Sequence, residues 1–139
     1  VETPSDSRGR LVLRWLLAVF FTAGGIVHLY APDKLLLITP GWVPFPREVI
    51  IVTGVLEIIG SLALLTKPLR TWAGLALALY SLSVWPANIK QALEAIVVPP
   101  LPDSWWYHGP RLAFQPVIIW ASLYASGAID WPWRKVTPQ

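Results

Sequence analysis

Residues 49–66 form an apolar run long enough to cross a bilayer, and it has one carboxylate, Glu57, inside it. An ionisable group at hydrocarbon depth is costly, so it faces a partner, a cavity or a pathway rather than lipid. A spanning helix needs roughly 20 apolar residues to cover about 30 Å. Three further runs have that character. Only 14% of the 139 residues are charged, against roughly 25% in an ordinary globular domain. The expectation is an all-α membrane protein: a four-transmembrane-helix bundle with spans at 11–31, 49–66, 71–98 (kinked at Pro86) and 112–129.

The segments between these runs fit that reading. Residues 1–10 are polar and form a flexible N-terminal tail, and 131–139 form the C-terminal tail. The connector 32–47 holds four prolines yet is rich in Leu, Trp and Phe, so it lies in the membrane interface. Residues 99–110 form a second proline-rich loop in which Trp105, Trp106 and Tyr107 sit at headgroup level. Placing the N-terminus inside puts seven Lys and Arg on the cytoplasmic side and four on the other. By the positive-inside rule both termini are cytoplasmic and both long loops lie outside. The chain is then a multi-pass protein of the bacterial plasma (inner) membrane.

Composition also narrows the chemistry. Without cysteine there is no thiol redox chemistry, disulfide exchange or thiolate metal site. The net charge of +3 comes from basic residues scattered at the ends of apolar runs, which is a topology signal and not a nucleic-acid-binding face. No phosphate-binding glycine loop, nucleophile elbow or zinc-protease motif is present. His28 and His108 are too dispersed from acidic residues to predict a metal site.

Four-span topology brings polar residues together. Glu57 lies about 12 Å below the outer boundary at about 1.5 Å per residue, with Thr53, Gly54 and Ser61 on its helical face. His28 closes the first span, Asn88 lies near the outer end of the third, and Arg111 and Gln115 start the fourth. His28, Glu57, Asn88, Arg111 and Gln115 are therefore the expected ligand-binding residues.

Three ordered motifs resemble the DoxX family of membrane proteins. One is His28 with Ile38-Thr39-Pro40, Val43-Pro44-Phe45-Pro46 and Thr53-Gly54-Val55-Leu56-Glu57-Ile58-Ile59-Gly60. The second is Trp85-Pro86-Ala87-Asn88-Ile89. The third is Arg111-Leu112-Ala113-Phe114-Gln115 with Ile118-Ile119-Trp120-Ala121. Ala113 stands where that family usually has proline, and Lys90-Gln91 where aromatic and Met residues are common. The resemblance implies a four-helix bundle and the same five functional positions. It also implies an accessory, quinone-associated component of a membrane redox system, working beside membrane oxidoreductase subunits.

In that role Glu57 and His28 would relay protons, Asn88 and Gln115 would bond quinone carbonyls, and Arg111 would favour the reduced form. Two alternatives have a different character: a non-enzymatic protein binding a lipid or hydrophobic metabolite, and a structural subunit of a larger membrane complex. The residues themselves specify no reaction.

Overall fold

A computed structural model describes residues 7–132. Residues 1–6 of the expected N-terminal tail and 133–139 of the C-terminal tail lie outside the described residues. Five helices follow in order: α1 Arg8–Tyr30, α2 Pro32–Leu36, α3 Pro46–Leu64, α4 Arg70–Leu93 and α5 Trp105–Ala125.

Local signals account for the helix starts. The Ser7 side chain caps α1 by accepting from the Arg10 N–H, and Ser104 caps α5 by accepting from the Trp106 N–H. Proline opens α2 and α3, where the missing N–H costs nothing. Two boundaries differ from the sequence reading. Ser104 draws Trp105 to Tyr107 out of the expected loop and into the first turn of α5. Helix α4 runs through Pro86 but stops at Leu93, where Ala95 turns left-handed at φ 49°.

The four long helices pack as a ring in the order α1, α3, α4, α5, with α2 against α1 and the start of α3. Neighbours run antiparallel: Thr22 meets Ser61 while His28 meets Gly54, and Gly74 meets Ser126 while Ser81 meets Gln115. One apolar cluster, built from Leu17, Phe21, Leu64, Leu77, Ile118 and Ala121 with small residues between, fills the centre. Side chains outside it leave a large apolar surface, including Leu16 and Val19 on α1 and Leu79 and Leu82 on α4.

The expectation of four spans is overturned. Among the described residues only α1, with 23 residues, is long and apolar enough to cross a membrane by length and composition. Helix α3 carries Arg47, Glu48 and Glu57 within 19 residues. Helix α4 mixes Trp, Tyr, Ser and Asn with Arg70 and Lys90, and α5 holds His108, Arg111, Gln115 and two prolines. These polar residues interrupt the apolar runs at intervals shorter than a span. The multi-pass placement and the cytoplasmic assignment of both termini rested on four crossings and fall with them.

Two basic residues also have a different role from the one expected of a flank. Arg10 and Arg14 are each only 3% exposed, so they are buried side chains and not solvated topology signals. Arg10 donates to the carbonyls of Tyr124 and Ile129, and its Nη2 lies 2.5 Å from Asp130 Oδ1. Arg14 donates to the Ala125 carbonyl at 3.1 Å. The cations thus meet the carbonyl end of α5, where the helix dipole favours positive charge.

Candidate functional site

Close approach of α1 and α3 creates the polar centre. A Cβ placed on Gly25 would lie 2.6 Å from the Gly54 carbonyl, and one on Gly54 would lie 2.6 Å from His28 Cβ. Only glycine allows the two backbones to meet there. His28 consequently leans across α3 toward Glu57, with Nδ1 3.1 Å from Oε2. Glu57 also rests against α1, since a Cβ on Gly24 would lie 3.0 Å from Oε1.

Hydrogen bonding fixes the imidazole tautomer. His28 Nδ1 is 2.7 Å from the Gly24 carbonyl, an acceptor only, so Nδ1 carries a proton and donates it there. In the neutral ring Nε2 then accepts from the Tyr80 hydroxyl at 3.1 Å. Tyr80 also faces Glu57 and Thr53. It has one proton and two acceptors, and the contact to Nε2 has hydrogen-bond geometry. Glu57 Oε2, in a residue only 5% exposed, is left without a hydrogen-bond partner.

Such an oxygen is costly to bury as an anion. Burial accordingly pushes the Glu57 carboxyl from its ordinary 4.5 up to about 7, against a smaller opposing effect of Tyr80. Burial, and then the adjacent carboxylate, push the Tyr80 phenol upward, with Thr53 acting the other way. Glu57 is therefore poised between acid and carboxylate near neutrality, while Tyr80 stays a phenol.

Glu57 and Tyr80 stand at one end of a cleft of about 350 Å³ between α3 and α4. Thr53, Leu56, Gly60 and Ala63 line it from α3, and Trp72, Ala73, Ala76 and Leu77 from α4. From Thr53 to Ala63 the α3 wall is about 15 Å long. The cleft wall is almost wholly apolar, with Thr53, Glu57 and Tyr80 among its lining residues at one end.

The five expected residues divide into two groups. His28 and Glu57 come together. Gln115 instead donates to the Ser81 carbonyl at 2.5 Å, and Arg111 donates to Gln91 Oε1 at 2.6 Å while lying over the Tyr107 ring. Both join α5 to α4, because α5 lies across the ring from α3. Asn88 is half-buried on α4, about 12 Å farther along that helix than Tyr80. Tyr80 is the residue that sequence reasoning missed. A lone phenol within a run of Leu and Ala, three residues after Leu77, was the available signal. His108 is buried and bonds Asp103 at 3.3 Å, and no group of three metal-ligating side chains occurs among the described residues.

The family model described as a domain of unknown function, DUF8561, matches residues 17–125. The chain belongs to the DUF8561 family. The matched region of this DUF8561 protein contains every residue of the cleft and the His28–Tyr80–Glu57 cluster. Arg10 and Arg14 precede it. No curated protein and no solved structure matches the chain.

Proposed function

We propose that this protein binds a lipophilic small molecule with a polar head, of the quinone class, in the α3/α4 cleft. In this reading it serves as an accessory component of a redox system at the bacterial plasma membrane. The observation that carries the proposal is an apolar cleft that has among its lining residues Glu57, whose buried Oε2 has no hydrogen-bond partner. Pockets for small molecules are mostly apolar with a few placed polar groups, and this cleft has that character. Helix α1, with its length and apolarity, supports membrane association, and exposed apolar side chains support it further. The resemblance to DoxX proteins supports the redox setting, with electrons supplied by a partner oxidoreductase.

The apolar lining equally favours a second reading, a lipid or hydrophobic-metabolite binder with no redox partner. Extraction of the purified protein into organic solvent, followed by mass spectrometry, separates the two. A co-purifying quinone supports the first and a co-purifying lipid the second. A short-chain benzoquinone should also quench the fluorescence of Trp72, which lines the cleft. The quenching should diminish in Trp72→Phe and also in Ala76→Phe, whose ring narrows the cleft. Unchanged quenching in Ala76→Phe would exclude the cleft as the site.

A further inference from the structure

We infer that Glu57 recognises the ligand as a neutral acid, donating its O–H to a hydrogen-bond acceptor on the ligand head, so that binding requires a protonated Glu57. The inference rests on the preceding reading in one respect, that the α3/α4 cleft is the binding site.

The donors around Glu57 have other acceptors, and none bonds Oε2. From α1, the His28 Nδ1 proton goes to the Gly24 carbonyl at 2.7 Å. From α4, the one Tyr80 hydroxyl proton is shared between His28 Nε2, at 3.1 Å, and the Glu57 carboxyl it also faces. Within α3, the Thr53 hydroxyl donates back to the carbonyls of Val49 at 2.8 Å and Ile50 at 3.0 Å. Helix α2 packs on α1 and on the start of α3, where Asp33 pairs with Arg47, about 15 Å along the helix from Glu57. A carboxylate at Oε2 would need donors that its neighbours are using elsewhere. A carboxylic acid brings its own.

The same geometry defines the ligand head. A neutral acid beside a phenol suits a carbonyl or ester oxygen, which accepts and carries no charge. It disfavours an ammonium head, which would need the carboxylate. A quinone and an ester lipid share this acceptor chemistry, and the choice of probes tells them apart.

The test uses the full chain in detergent micelles, with a short-chain benzoquinone, a medium-chain methyl ester and dodecylamine as probes at pH 5.5, 7 and 8.5. With the Glu57 carboxyl at about 7, the neutral fraction falls about 30-fold across that range, and affinity for an acceptor head should fall with it. Benzoquinone binding alone points to a quinone, and binding of both acceptors to a general carbonyl site. Glu57→Gln keeps an N–H donor and should bind equally at every pH. Glu57→Leu, checked for helicity by circular dichroism, should bind at least tenfold more weakly at pH 5.5. His28→Gln removes the neighbouring imidazole and should leave the pH dependence in place.

Affinity that rises with pH, tighter binding of dodecylamine, or loss of binding in Glu57→Gln would show Glu57 acting as an anion and overturn the inference. Intact binding in Ala76→Phe would fail the location of the site itself, a result distinct from those three.

Discussion

His28 Nδ1 and Glu57 Oε2 lie 3.1 Å apart, yet the imidazole proton is directed to the Gly24 carbonyl and not to the carboxyl. The contact is therefore a near approach of two titratable groups in which the acid is not held as an anion by a donated hydrogen bond. Its consequence for stability has a definite sign. Glu57 titrates near 4.5 in the unfolded chain and at about 7 in the folded protein. Between these values the unfolded chain releases a proton that the folded protein keeps. The Glu57 contribution is fully present below pH 4.5, falls as the pH rises to about 7, and is level beyond. Its upper bound is about 3 kcal/mol. Denaturant midpoints measured from pH 4.5 to 8 should fall with pH in the wild type and flatten in Glu57→Gln. A difference between the two that grows in the opposite direction would mean that the His28–Glu57 ion pair prevails.

The α1/α3 crossing should be sensitive to a single methyl group. Gly54→Ala places a Cβ 2.6 Å from His28 Cβ, within the close backbone approach. Overpacking of this kind costs about 1–3 kcal/mol, outweighing the helix propensity that alanine gains. Gly9→Ala is the internal control, because nothing lies within 4 Å of its Cβ in the first turn of α1. It should be neutral or stabilising by up to about 1 kcal/mol. Thermal unfolding of the two variants side by side measures the difference. If Gly54→Ala also leaves the unfolding midpoint unchanged, the two helices are not in backbone contact.

Helix content and the pairing of His28 with Glu57 were legible because both follow from short-range rules. Apolar runs bounded by proline predict helices, and antiparallel neighbours bring the end of the first helix to the middle of the next long one. The number of spans was not legible from run length alone, because Arg47, Glu48 and Glu57 break the α3 run without ending the helix. The five-residue convergence failed for a topological reason. Gln115 and Arg111 face α4, and only the ring order α1, α3, α4, α5 places them away from Glu57. Tyr80 was missed because its one signal, a lone phenol in a Leu and Ala run, does not by itself say which face of α4 meets α3. The buried arginines were partly visible: Arg10, Arg14, Leu17 and Phe21 follow one another at spacings of four, three and four, a single helical stripe. Reading them by position in the chain, and not by face, hid that.

That stripe leads to a contrast between two substitutions at the same end of the bundle. Arg14→Met removes a buried donor and leaves the Ala125 carbonyl short of a partner, at a cost of about 1–3 kcal/mol. Asp130→Asn removes the anion from a pair whose acidic side is 50% exposed, while Arg10 keeps the carbonyls of Tyr124 and Ile129. Such half-exposed pairs contribute under about 1 kcal/mol. Equilibrium unfolding should rank Arg14→Met well below Asp130→Asn. Equal effects would mean that the ion pair, and not capping of α5, holds this end together.

The end of α4 offers a stabilising change. Glu94 caps the helix, Ala95 follows at φ 49°, and the Ile96 N–H returns to the Gln91 carbonyl at 3.1 Å. This is the Schellman arrangement, in which the left-handed position favours glycine because a Cβ crowds the backbone. Ala95 is exposed, so its methyl contributes no core packing. Ala95→Gly should relieve the crowding for a net gain of about 1 kcal/mol, after the added freedom of glycine in the unfolded chain is set against it. Ala92→Gly, three residues earlier and 4% exposed, should instead lower stability by about 1 kcal/mol or more, since it loses both helix propensity and burial. The neighbouring Gln91 also accepts from Arg111, so firmer closure of this turn should steady the α4/α5 seam. Hydrogen exchange at the Ile96 amide reports the effect directly: slower exchange in Ala95→Gly is expected, and faster exchange would show that the turn does not hold this geometry.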